Sequence, residues 1–63
     1  MVNGERIREL MKGKGIEGKD MADKVGVSAA MISYILKGLR EPNVAVLSRI
    51  AKELGCTVDE LIC

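Results

Sequence analysis

The most constraining feature of this chain is a set of small and branched residues at fixed spacing near its middle. Ala22 is followed four residues later by Gly26, and Ile32 and Ile35 come after the hydroxyl residue Ser28. A small residue lets a second helix approach closely, glycine ends a helix in the left-handed conformation, and a hydroxyl caps the next helix. The spacing therefore predicts two short helices, joined by a tight turn and locked together by the isoleucines.

The pair is typical of a helix-turn-helix and covers about residues 18–38. The first helix is expected from about Lys19 to Val25, and the second from about Ala29 to Lys37, ending at Gly38. In this arrangement the outer face of the second helix can enter a DNA groove.

Helical periodicity and capping residues predict three more helices around this pair. Asn3 can cap a first helix and Asn43 a fourth, while Thr57 and the glutamate three residues later match a capping box for a short fifth helix. We therefore expect one compact all-α domain of five helices spanning residues 1–63, without strands.

Composition narrows the function classes. The chain has no histidine and two cysteines, which removes most metal and catalytic options, and it has no phosphate-cradling glycine motif between a strand and a helix. We expect no enzyme activity, no cofactor, no metal and no small-molecule ligand.

Apolar runs are too short for a membrane span, so we expect a cytoplasmic protein whose cysteines are thiols. The net charge of +1 is low for a nucleic-acid binder.

Geometry alone assigns the two faces of the third helix. At about 100° per residue, Ile32, Ile35 and Leu36 fall on one side of it. The opposite or flanking positions hold Ala29, Ala30, Ser33, Tyr34 and Lys37. If this helix lies in a major groove, the second set meets base edges or phosphates.

The sequence resembles the phage-repressor and Cro-like helix-turn-helix proteins, the XRE family, over nearly its whole length. The matching segments are Met21-Ala22, Val25-Gly26-Val27-Ser28, Ile32-Ser33, Gly38-Leu39-Arg40-Glu41-Pro42-Asn43, Leu47, Ile50-Ala51-Lys52-Glu53-Leu54-Gly55 and Asp59-Glu60-Leu61. The resemblance implies a lambda-repressor-like domain of five helices that usually dimerises and binds operator DNA.

The resemblance also implies which residues contact DNA. Base-reading positions correspond to Ala29, Ala30, Ser33 and Tyr34, and the candidate phosphate contacts are Lys19, Ser28, Lys37, Arg40 and Asn43. Two departures weaken this set. Alanines replace the polar readers common at residues 29 and 30, and Glu17 and Gly18 replace the family's hydroxyl cap and glutamine. A third departure places Met11 and Leu36 where some members carry an ion pair, which predicts an apolar contact instead.

Two functions remain open on this basis. The first is a sequence-specific DNA-binding transcriptional regulator, acting as a homodimer on a palindromic operator in double-stranded DNA. Its interface is expected at Val58, Leu61 and Ile62, although the first two could equally close the core. The alternative is a protein–protein interaction module with the same fold and weakened DNA binding, docking a partner through Ala29, Ala30 and Tyr34. The alanines, Gly18 and the low net charge favour that alternative.

Overall fold

A computed structural model describes residues 2–62 as four α-helices and one short 3-10 helix. The elements are α1 (Gly4–Lys14), α2 (Gly18–Val25), α3 (Ala29–Leu36), α4 (Val44–Leu54) and the 3-10 helix (Val58–Leu61). The all-α expectation is confirmed for the described residues, where the only β pairing is an isolated bridge. None of their helices combines the length and apolar character needed to cross a bilayer.

The expected count of five α-helices is wrong by one. The last element is a 3-10 helix of four residues, a geometry that rarely extends beyond one turn. The Glu60 carboxylate accepts from the backbone N–H of Thr57 at 2.8 Å, as a capping box requires. The chain then turns extended at Ile62, which pairs with Val2 in the antiparallel bridge.

Capping residues fix the starts of three α-helices as the sequence predicts. Asn3 Oδ1 accepts from the N–H of Arg6 at 3.1 Å, and Ser28 Oγ accepts from the N–H of Met31 at 3.1 Å. At the start of α4, Asn43 Oδ1 accepts from a backbone N–H at 2.8 Å. Each bond satisfies a donor that the first helical turn leaves without a partner.

The turn between α2 and α3 has the predicted geometry. Gly26 ends α2 with φ of +77°, a conformation that costs glycine little. The N–H groups of Gly26 and Val27 donate to the Ala22 carbonyl at 2.9 and 3.0 Å. Ala22 is buried in the core that the two helices share, and this confirms the role of a small residue at that position.

Helix α3 is slightly shorter than expected. It ends at Leu36 rather than at Gly38, and Lys37 is its C-cap. Gly38 has φ of +77°, and Leu39 N–H donates to the Tyr34 carbonyl at 2.8 Å. This hydrogen bond spans Gly38 and ends the helix at Leu36, so the glycine lies beyond the last helical residue.

The core is almost entirely aliphatic, as a chain with one aromatic residue requires. Its buried residues are Val2, Ile7, Met11, Met21, Ala22, Val25, Ile32, Ile35, Ile50, Ala51, Leu54 and Leu61. Helix α2 packs against α3 and α4, and α1 packs against α3, α4 and the 3-10 helix. Burying these side chains is the main term that holds so small a domain together.

Candidate nucleic-acid interface

The outer face of α3 is open to solvent. Ala29 and Ala30 are exposed, Tyr34 is 43% exposed and Ser33 is half-buried. Ile32 and Ile35, on the other side of the helix, are 2% and 1% exposed. The predicted division of faces is therefore confirmed. We call Ala29, Ala30, Ser33 and Tyr34 the recognition face.

The recognition face offers limited but usable chemistry toward a base pair. The two alanine methyl groups can contact only a thymine methyl, whereas the Ser33 hydroxyl can donate or accept. Tyr34 adds a phenol and an apolar ring, and it is the largest side chain on this face. Sequence readout through this face would therefore depend mainly on Ser33 and Tyr34.

The candidate phosphate contacts lie before and after α3 in the chain. The five candidate phosphate contacts, Lys19, Ser28, Lys37, Arg40 and Asn43, are all exposed. Ser28 and Asn43 use one oxygen each to cap a helix. The hydroxyl hydrogen of the first and the amide NH₂ of the second stay available to donate to a phosphate oxygen.

The start of α2 lacks a side-chain cap. Glu17 occupies the N-cap position and makes no capping hydrogen bond, and Gly18 begins the helix without a side chain. The first N–H groups of α2 therefore have no partner from the capping side chain, and such groups can bind a phosphate. The Glu17 carboxylate opposes that binding because it carries the same charge as the phosphate.

Helix α4 fixes the position of the helix-turn-helix. Arg49 Nη1 donates to the Val25 carbonyl at 3.4 Å, at the end of α2. One turn further along α4, the Glu53 carboxylate lies 3.8 Å from the Lys24 ammonium. Arg49 could not be found from the sequence, because its partner lies 24 residues away and no local pattern marks such a contact.

The ends of the described chain meet beside the loop that precedes α4. Asn3 N–H donates to the Leu61 carbonyl at 2.7 Å, and Val2 N–H donates to Glu41 Oε1 at 2.8 Å. Glu41 therefore has a structural role, because it ties the first residues to the loop after α3. No sequence pattern indicates this contact, which spans 39 positions.

The predicted dimer interface needs one correction. Leu61 has no exposed surface and belongs to the chain's own core, so it cannot contact a second subunit. Val58 is half-buried, and Ile62 is 41% exposed. Two other apolar residues, which the sequence analysis does not single out, are more exposed than Ile62: Val44 is 80% exposed and Leu39 is 68% exposed. From the sequence alone, these two residues could not be distinguished from the buried aliphatic residues that lie near them in the chain.

Residues 2–62 contain neither a cluster that could bind a metal ion nor an activated thiol. Within that range no three histidine, cysteine, aspartate or glutamate side chains gather where a metal ion could bind. Burial, and secondarily the nearby Glu60 carboxylate, raise the pKa of the Cys56 thiol above its ordinary value. A raised pKa keeps the thiol protonated and unreactive at neutral pH. Cys63 lies outside the described residues.

Comparison with known proteins agrees with this geometry. Residues 7–61 match the family model HTH_3, described as helix-turn-helix. The chain is 34% identical over 58 residues to the uncharacterized HTH-type transcriptional regulator YazB of Bacillus subtilis, covering 92% of this chain and 84% of that protein. It is 33% identical to the HTH-type transcriptional regulator DdrOP3 of Deinococcus deserti, again over 92% of this chain. It spans only 45% of the length of DdrOP3.

A solved structure is similar over almost the whole fold. The P22 c2 repressor protein, crystallised with the synthetic operator 9T, superposes with a TM-score of 0.92 at 35% identity. The match covers 98% of this chain and 94% of the repressor chain. The fold, the helix-turn-helix geometry and these matches together show that the chain belongs to the helix-turn-helix family HTH_3.

Proposed function

We propose that this chain is a sequence-specific DNA-binding transcriptional regulator that places α3 in the major groove. The observation that carries the proposal is the recognition face itself, where Ala29, Ala30 and Tyr34 are exposed, together with the exposed donors before and after α3 in the chain. The names of the two curated relatives, both HTH-type transcriptional regulators, support it. The operator bound to the P22 c2 repressor supports it as well.

Each group of residues has a distinct role in this function. Tyr34 and Ser33 read base edges, and the methyl groups of Ala29 and Ala30 contact thymine methyls. The five exposed donors around α3, together with the first N–H groups of α2, hold the sugar-phosphate backbone. Phosphate contacts set position and affinity, whereas contacts with base edges set sequence preference.

We further propose that the regulator acts as a homodimer on a palindromic operator. Ile62 and Val44 are exposed apolar residues, and two contacts link the segments that carry them. Ile62 pairs with Val2, and Val2 is bonded to Glu41, three residues before Val44. A second copy would cover this apolar surface, with half-buried Val58 at its margin.

A two-fold dimer requires a fixed distance between the two half-sites on the DNA. The two α3 helices would have to enter successive major grooves on one side of the duplex, about 34 Å apart. The recovered half-sites should then be inverted repeats with centres about 10 base pairs apart.

Selection of bound duplexes from a random-sequence pool, followed by mobility shift at two salt concentrations, tests the proposal. We expect palindromic sites and, for about four phosphate contacts per subunit, a log–log salt slope of about −3 to −4 per subunit, which is about −7 for the dimer. Failure to shift any duplex at low salt would reject the regulator function. In that case the recognition face would have to be tested as a protein-docking surface.

A further inference from the structure

A surface pocket lies between α1 and the start of α2, next to the end of α3. Its volume is about 430 Å³, within the range of about 300–1,000 Å³ typical of small-molecule sites. Its apolar lining comes from Met11 of α1, Ile16 of the α1–α2 loop and Leu36 of α3. Met11 and Leu36 thus line the same pocket, and the direct contact that the family resemblance implies for this pair stays a prediction.

The rim of the pocket is charged asymmetrically. Arg8 and Lys12 stand four residues apart on α1, and they therefore lie on one side of that helix. Glu17 is the only acidic residue that lines the pocket, which leaves two cations against one anion. Among residues 2–62 the sole salt bridge joins Lys24 to Glu53, so both rim cations are available to a ligand.

This combination selects for a particular ligand chemistry. An apolar lining favours a hydrocarbon or aromatic body, since its burial removes apolar surface from water. Two neighbouring cations favour an anionic head group, and a carboxylate forms charge-assisted bonds with arginine and lysine. A neutral ligand of the same size would gain only the apolar contacts, because Arg8 and Lys12 are exposed and stay hydrated beside it.

We propose that this pocket binds a small amphipathic carboxylate. Its apolar part lies against Met11, Ile16 and Leu36, and its carboxylate contacts Arg8 and Lys12. Glu17 and Gly18 line the same pocket and also form the start of α2, where the proposed function places a phosphate. An occupant therefore stands beside that phosphate and weakens DNA binding, a consequence that rests on the proposed function.

Titration of the ¹⁵N-labelled protein without DNA tests the binding site directly. The probes are decanoate, kept below its micelle-forming concentration, and hexan-1-ol, a neutral alcohol short enough to dissolve at millimolar concentrations. We expect decanoate to shift the amide signals of Ile16, Gly18 and Leu36 with a dissociation constant in the millimolar range. Shifts spread evenly over the surface, or none at these residues, would overturn the proposal.

A charge variant tests the role of the two cations. In the double variant Arg8→Gln/Lys12→Gln we expect decanoate to bind about five-fold more weakly, with the affinity for hexan-1-ol unchanged. Lys52→Gln removes an exposed cation from α4, away from the pocket, and should leave both affinities unaltered. Equal weakening by the double variant and by the control would show that only general charge attraction is involved, and would overturn the site.

Competition with DNA tests the regulatory consequence separately. Decanoate should weaken the binding of the wild-type protein to a duplex recovered by selection. The double charge variant should bind that duplex equally well with and without decanoate. If decanoate shifts the pocket signals but leaves DNA affinity unchanged, the coupling is wrong. If the protein binds no DNA while the pocket still binds decanoate, the proposed function fails and the ligand site stands.

Discussion

Gly4, the first residue of α1, is pressed against the carbonyl of Leu36, the last residue of α3. A β-carbon on residue 4 would stand 2.5 Å from the Leu36 oxygen and 2.6 Å from that of Ile35. Both obstacles are backbone atoms at the end of a packed helix, and they cannot move aside as a flexible side chain can. The contact joins the N-terminal end of α1 to the C-terminal end of α3, whose dipoles attract each other in this orientation.

We predict that Gly4→Ala destabilises the domain by about 1–3 kcal/mol, because the added methyl group must push two helices apart. Gly13→Ala is the matched control. Gly13 lies in the same helix, and a β-carbon added there would meet nothing within 4 Å, so alanine should stabilise by about 0.5–1 kcal/mol through helix propensity. Urea unfolding measures both. Equal stabilisation by the two substitutions would show that the close approach does not exist.

Arg49 is predicted to support the turn of the helix-turn-helix. Arg49→Ala removes the bond to the Val25 carbonyl and should lower the free energy of unfolding by about 1 kcal/mol. Lys24→Ala, which removes only a largely exposed ion pair, should cost about 0–0.5 kcal/mol. Thermal or urea unfolding distinguishes them, and a larger effect at Lys24 would contradict the assigned role of Arg49.

Tyr34 of α3 and Lys37 at its C-cap are predicted to affect DNA binding differently. Lys37→Ala should weaken all duplexes by a similar factor and reduce the salt slope by about 1 per subunit, about 2 for the dimer, because each subunit loses one phosphate contact. Tyr34→Ala should instead change which sequences are selected, because it removes a base contact. Selection and mobility shift with both variants measure this, and the reverse pattern would exchange the two roles.

The proposed dimer surface predicts a change in oligomeric state. Ile62→Glu or Val44→Glu should convert a dimer to a monomer, because a carboxylate would be buried against an apolar partner. Glutamate at exposed Ala30, on the recognition face, is the control and should leave the dimer intact. Sedimentation equilibrium measures the mass. A wild-type chain that is monomeric both free and on DNA would exclude the homodimer.

The raised pKa of Cys56 predicts a pH dependence of both reactivity and stability. Because burial favours the neutral thiol, the contribution of Cys56 to stability is complete below its ordinary pKa and is lost as pH rises through the raised value. In a Cys63→Ser variant, the rate of alkylation by iodoacetamide against pH should have a midpoint above that of the urea-unfolded chain. A midpoint at or below the unfolded value would contradict the burial of this thiol.

The recognition face could be predicted from the sequence because it depends on one helix alone. Ser28 sets where α3 begins, and the 3.6-residue period then decides that Ile32 and Ile35 turn inward while Tyr34 turns outward. The pocket could not be predicted, since it forms only where α1, the α1–α2 loop and α3 come together. Met11 and Leu36 were paired through a family resemblance rather than through any pattern of their own.

The starts of α1, α3 and α4, the turn at Gly26 and the inner and outer sides of α3 follow from the local sequence. These features depend on hydrogen bonds and spacings within a few residues, and local rules describe them well. Only the packed fold shows that Gly4 must lack a side chain, that Arg49 bonds to Val25, and that Leu61 is buried in the core while Ile62 is exposed. Each of these depends on atoms far apart in the chain, whose meeting is fixed by how the whole core packs.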